Sequence, residues 1–111
     1  MIKMHAEFDI KIMEETGNNY NDFVDNLVTK VLPKADLMIE EKDDNGYLLI
    51  KGPNKNTDLA YLGLLANAFR DNDFTKKSLK KLLLLTNRKS EDSSFYIEGD
   101  WIETWKENNM W

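Results

Sequence analysis

The stretch Ile2-Lys3-Met4-His5-Ala6-Glu7-Phe8-Asp9-Ile10-Lys11-Ile12 decides the fold. Its six apolar residues occupy the even positions, and charged or polar residues occupy the odd ones. A period of two places every apolar side chain on one face of an extended chain, so the pattern predicts a half-buried strand over residues 2–12. One face of such a strand needs cover and the other meets water. The expectation is an α+β fold, a mainly antiparallel sheet with helices packed on one face.

Downstream of this strand Gly17-Asn18-Asn19 breaks the pattern, and the period changes. Tyr20, Phe23, Val24, Leu27, Val28 and Val31 recur at helical spacing and predict one amphipathic helix with a single apolar stripe. Asn19 can cap it, and Asp22 sits where the positive helix end favours a carboxylate. Pro33 disfavours helical angles at Leu32 and is expected to stop the helix.

Residues 36–52 read as a hairpin. Asn45-Gly46 suits a two-residue type I′ turn, because both residue types tolerate positive φ. Thr57 is a candidate cap for a helix carrying Leu59, Leu62, Leu65, Ala66 and Phe69. Thr75 is a candidate cap for another, running through Leu79, Leu82 and Leu83 to Leu85. That second helix is basic in its first half and apolar on every side in its second, which predicts a buried end. Residues 87–93 read as a polar loop and 94–97 as a strand. Two readings compete for residues 101–108. Gly99-Asp100 suits a type II′ hairpin that continues as strand, and Asp100 also suits the cap of a short helix with Trp101, Ile102 and Trp105 on one face. The strand is the expectation. The expected order is β-α-β-β-α-α-β(-β), in a single domain spanning 1–111.

Composition bounds the class. The chain has 111 residues, 41% of them hydrophobic, which suffices for a core of its own. Without cysteine there is no disulfide, thiolate metal site or thiol nucleophile. Residues 1–10 lack the apolar core of a signal peptide, and the leucine run at 82–85 is far too short for a bilayer. The expected location is the cytoplasm, with no membrane association. Abundant Lys and Asn, with A-rich codons, suggest an AT-rich bacterial or phage source.

Charge is segregated along the chain. Residues 70–89 carry seven basic side chains against two acidic ones, while the flanking segments are each acidic by five charges. Such segregation shapes the field a partner meets. One reading of the basic segment is a winged helix-turn-helix, with Lys76, Lys77, Lys80 and Lys81, then Arg88 and Lys89, facing nucleic acid. Only two arginines exist to read guanine edges, and a solvated lysine face is the plainer alternative.

Catalytic and metal motifs fail on inspection. His5 is the only histidine and has Glu7 as its same-face neighbour, which reads as an exposed strand histidine. Glu41-x-Asp43-x-Asn45-Gly46 resembles the start of a calcium loop, but position 12 is Gly52 in place of the bidentate Glu. The carboxylate pairs Glu14-Glu15, Glu40-Glu41, Asp43-Asp44 and Glu91-Asp92 are sequence neighbours, which on a strand point to opposite faces. Gly52-Pro53-Asn54-Lys55-Asn56-Thr57 lacks the second glycine of a phosphate loop, and Pro53 removes an amide. No catalytic residue, metal or cofactor is expected, and the chain reads as a non-enzyme.

Three tryptophans fall within the last eleven residues. Trp101, Trp105 and Trp111, with Glu98, Asp100, Glu103 and Glu107 as rim charges, are the expected partner-binding site. Core packing is the competing role for Trp101 and Trp105, and Trp111 is expected to be the most exposed. The leading functional expectation is a small acidic protein-interaction module of inhibitor, immunity or adaptor type. Its expected partner is a protein, such as a basic nucleic-acid enzyme. A nucleic-acid-binding regulator using residues 75–89 is the alternative, and an enzyme with a cryptic site ranks last.

Overall fold

The computed structural model describes residues 1–89 and 91–111. The elements are β1 (Ile2–Phe8), α1 (Ile10–Glu15), α2 (Tyr20–Asn26), a π turn (Leu27–Val31), a 3-10 turn (Leu32–Ala35), β2 (Met38–Lys42), β3 (Tyr47–Lys51), α3 (Asp58–Asp71), α4 (Asp73–Ser78), β4 (Leu79–Thr86), β5 (Tyr96–Asp100) and α5 (Trp101–Glu107). All strand pairs are antiparallel, in the order β2-β3-β1-β4-β5. The α+β class, a mainly antiparallel sheet with its helices packed on one face, is as the alternation in β1 requires. The polar loop expected over 87–93 includes Ser90, which lies outside the described residues.

β1 is the central strand, and its alternation sorts the two faces. Ile2, Met4, Ala6 and Phe8 are buried against helical residues such as Met13, Phe23, Leu62 and Phe69. Phe8 meets Phe23 and Phe69 edge-on, with ring centroids 5.1 and 5.3 Å apart. Lys3, His5 and Glu7 lie half-buried on the opposite, open face. Their neighbours there are Lys51, Leu49 and Tyr47 on β3 and Leu85, Leu83 and Lys81 on β4.

Four of the expected elements are corrected, and with them several expected caps and turns. First, the strand ends at Phe8 and not at Ile12, because Asp9 starts a helix: its Oδ1 accepts the Ile12 amide hydrogen at 3.1 Å. Second, the helix from Tyr20 widens into the π turn at Leu27. The wider turn rotates the apolar stripe off the core, so Val28 is 46% exposed while Leu27 and Leu32 remain buried. Backbone turns continue past Pro33 to Ala35, with Pro33 in the first turn of the 3-10 segment, where a missing amide costs nothing.

Third, residues 79–86 are strand, not helix. Leucine favours helix in isolation, but here the segment pairs with β1 on one side and β5 on the other. Leu79 and Leu82 enter the core, while Leu83, Leu84 and Leu85 are half-buried. The preceding helix α4 is capped by Asn72, whose Oδ1 accepts from the Phe74 amide at 3.3 Å. Thr75 is buried instead and donates to the Phe69 carbonyl at 2.6 Å. Thr57 likewise makes no side-chain cap for α3. Fourth, residues 101–107 are helix, not strand. Gly99 lies within β5, and Asp100 caps α5 by accepting from the Glu103 amide at 3.1 Å.

The β2–β3 hairpin is as expected, but its turn is not type I′. Gly46 takes φ +101°, whereas Asn45 is not among the residues with positive φ. Asp43 closes the loop, its Oδ1 accepting from the amides of Asn45 (2.8 Å) and Tyr47 (3.0 Å). Register shifts interrupt three ladders, at Glu40 in β2, at Lys80 in β4 and at Glu98 in β5.

Candidate functional site

An apolar concavity lies between the π and 3-10 turns and α3. It encloses about 270 Å³ between Val31, Ala35 and Leu37 on one wall and Tyr61, Leu64 and Ala68 on the other. A second hollow of about 360 Å³ shares Leu32 and Leu37 with it and extends past Val28 and Met38 to Glu40 and Glu41 on β2. Together they form a groove whose upper walls are in water: Leu64 is 62% and Met38 55% exposed. Val28 and Tyr61, 46% and 38% exposed, continue the apolar lining between them.

Sequence reasoning missed this groove for an identifiable reason. The π turn turns out Val28 and part of Val31, which a regular helix would have kept on the Phe23–Leu27 stripe. One signal was available. Tyr61, Leu64 and Ala68 recur at helical spacing beside the buried stripe of Leu62, Leu65, Ala66 and Phe69, giving α3 a second apolar face.

Acidic side chains flank the β2 end. Residues 36–44 contain Asp36, Glu40, Glu41, Asp43 and Asp44 against the single base Lys42. Glu40 is engaged by Lys3 at 2.6 Å and Lys51 at 3.3 Å. Hydrogen bonding from Lys3 is the largest influence holding its carboxyl below the usual range. Asp43 and Asp44 also act on Tyr20. Burial, reinforced by their charges, pushes the Tyr20 phenol up to about 12. That hydroxyl is buried and has no hydrogen-bond partner among the described residues.

The C-terminal tryptophans differ in burial. Trp105 is only 5% exposed and belongs to the core, while Trp101 and Trp111 are half-buried against it. Trp111 stacks on Trp105 with centroids 5.8 Å apart and 12° between planes. Arg70 lies over Trp105 at 4.9 Å and Lys76 over Trp111 at 5.2 Å. Of the expected rim charges, Glu98, Glu103 and Glu107 are exposed, whereas Asp100 is half-buried and occupied as the α5 cap.

The structure also divides the basic segment. Lys76 and Lys77 end α4, Lys80 and Lys81 begin β4, and Arg88 and Lys89 follow its far end. An eight-residue strand spans roughly 25 Å, so these groups form no single patch. Lys81 faces Glu7 across the ladder on the open sheet face. Lys76, Lys77 and Lys80 instead share a cavity with Lys106 of α5. No continuous helix joins residues 75 to 89, so the recognition helix of a winged helix is not formed.

His5 stands on the open sheet face, its Nε2 2.9 Å from Glu7 Oε1 and its ring 4.8 Å from that of Tyr47. Burial, then the charge of Glu41, raises the Tyr47 phenol above its ordinary value. Among the described residues no three His, Asp or Glu side chains converge to hold a metal ion, and no helix is long and apolar enough to cross a membrane. Comparison with known protein families, with curated proteins and with solved structures finds no match.

Proposed function

We propose that this chain is a small non-catalytic protein-interaction module whose apolar groove receives an anchor side chain from a basic protein partner. The observation that carries this reading is the groove itself, with Val28, Met38, Tyr61 and Leu64 exposed around a hollow beside the acidic β2–β3 hairpin. Apolar area supplies affinity, and the hairpin carboxylates steer a positively charged approach. The groove, more than the C-terminal tryptophans, supplies the anchor point. Glu98 on the outer strand β5, with Glu103 and Glu107 on α5, remain as exposed steering charges. An inhibitor, immunity or adaptor protein of a bacterial or phage mobile element, acting in the cytoplasm on a nucleic-acid enzyme, fits this chemistry. The partner's nucleic-acid-binding surface would supply the basic charge.

Leu64→Asp and Met38→Asp test the groove, since both side chains are more than half exposed and their replacement spares the core. In capture experiments from the source cell at physiological salt, wild type and a Lys80→Ala control should retain the same basic protein. Both groove variants should lose it. Equal retention by the groove variants overturns the reading, as does a retained species that nuclease treatment removes. Self-association abolished by Leu64→Asp would assign the groove to a second copy of this chain.

A further inference from the structure

Four lysines from three elements line one open surface cavity of about 550 Å³: Lys76 and Lys77 from α4, Lys80 from β4 and Lys106 from α5. Asp73 is the one carboxylate in the lining, leaving three positive charges in excess. Leu79 and Ile102, each 8% exposed, form a floor continuous with the core, and the indole of Trp111 lines the side. Among the described residues, ion pairs engage Lys3, Lys51, Lys55, Arg70 and His5, and none of these four lysines. A chain with 20 acidic side chains has ample means to neutralise them. Four ammonium groups around a single carboxylate carry a net repulsion that opposes folding, and such local conflicts concentrate at functional sites. Lys80 owes its place to the register shift against Glu7 and Phe8, which takes it out of the strand alternation. Re-aiming a side chain is a common use of a bulge beside a site.

We propose that this cavity binds a small polyphosphate carrying an aromatic ring, of the nucleoside di- or triphosphate class. Ammonium groups bind phosphate as point charges and need no bidentate geometry. A di- or triphosphate brings about three to four negative charges within a few ångströms, which matches the local excess, while peptide carboxylates bring one charge each at wider spacing. The cavity lies within the size range of small-ligand sites. The Leu79–Ile102 floor and the edge of Trp111, whose faces carry Trp105 and the Lys76 ammonium, offer the ring an apolar resting place. Acidic segments on both sides of residues 70–89 disfavour an extended nucleic-acid strand.

Titration calorimetry with ADP and with tripolyphosphate, at physiological salt, tests the site. Both probes should bind. Combined Lys80→Ala and Lys106→Ala replacement should weaken ADP at least about tenfold, because each lost ammonium removes a charged partner. Circular dichroism should stay unchanged, since both side chains are exposed. Lys81→Ala, outside the cavity, should bind like wild type. Trp111→Ala should weaken ADP more than tripolyphosphate. Absence of binding by either probe at millimolar concentration overturns the proposal, as does ADP binding that ignores Lys80 and Lys106. Equal loss of both probes in Trp111→Ala removes the ring from it. Tighter binding of a short oligothymidylate or of polyglutamate at these lysines would replace the nucleotide with a strand or an acidic protein.

Discussion

Gly46 and Phe8 hold the β2–β3 turn against the central strand through a backbone contact that admits no side chain at position 46. The Phe8 amide donates to the Gly46 carbonyl at 2.8 Å. A Cβ built on Gly46 would collide with the Phe8 carbonyl oxygen, and φ there is +101°. The hairpin tip and the end of β1 are therefore locked in one arrangement.

Replacing Gly46 with Val should destabilise the protein by at least ~2 kcal/mol, combining left-handed strain with a backbone clash. Urea unfolding checks it. A midpoint equal to wild type would mean that the loop can move away from Phe8.

Leucines along β4 should separate by face. Leu82 is fully buried, so Leu82→Ala should cost about 2–5 kcal/mol. Leu83 is half-buried on the open face, and Leu83→Ala should cost less than half as much. A helix apolar on all sides would have made the two losses similar. Paired denaturation curves therefore read out the strand directly.

Tyr20 carries a buried hydroxyl without a partner among the described residues, close to Asp43 and Asp44. Tyr20→Phe should be neutral or stabilising, because it removes a desolvated polar group and keeps the ring packing. The folded pKa, about 12, lies above the ordinary 10. The folded state then holds this proton more tightly than the unfolded state. Its contribution to stability is complete below pH 10 and falls as pH rises from 10 toward 12. Stability measured across that window should fall less steeply in Tyr20→Phe than in wild type.

Trp105 and Trp111 should differ in rank. Trp105→Ala opens the core and should cost about 3–5 kcal/mol. Trp111→Ala removes a half-buried ring and one stacking contact, the latter worth about 0.5–1.5 kcal/mol. Thermal unfolding of both variants checks the order, and equal losses would place Trp111 fully in the core.

Local rules with strong chemistry were legible in the sequence. Asn19 caps α2 as read, its Oδ1 accepting from the Asp22 amide at 3.1 Å, and Gly46 turns the hairpin. The alternation from Ile2 to Phe8 carried the fold class. Errors came where tertiary pairing overrode local preference. Leu82 to Leu85 favour helix alone, yet the sheet needed a strand between β1 and β5. Asp9 and Asp100 each start a helix directly at a strand end, and in each case the continuing apolar residues also fit an extended chain. The groove escaped because its exposure depends on a π turn, and Lys106 because it reaches the lysine cavity only through folding.

Both outer strands of the sheet carry a charged residue at a break in register, Glu40 on β2 and Glu98 on β5. An edge interrupted in this way presents no long, flat row of free amides and carbonyls to a neighbouring copy. Alignment of two such edges would also set carboxylates against each other. In a crowded cell, where molecules of this chain collide continually, the interruptions oppose sheet-to-sheet growth into aggregates, and half-exposed leucines can remain on the open face without the strand edges beside them becoming templates.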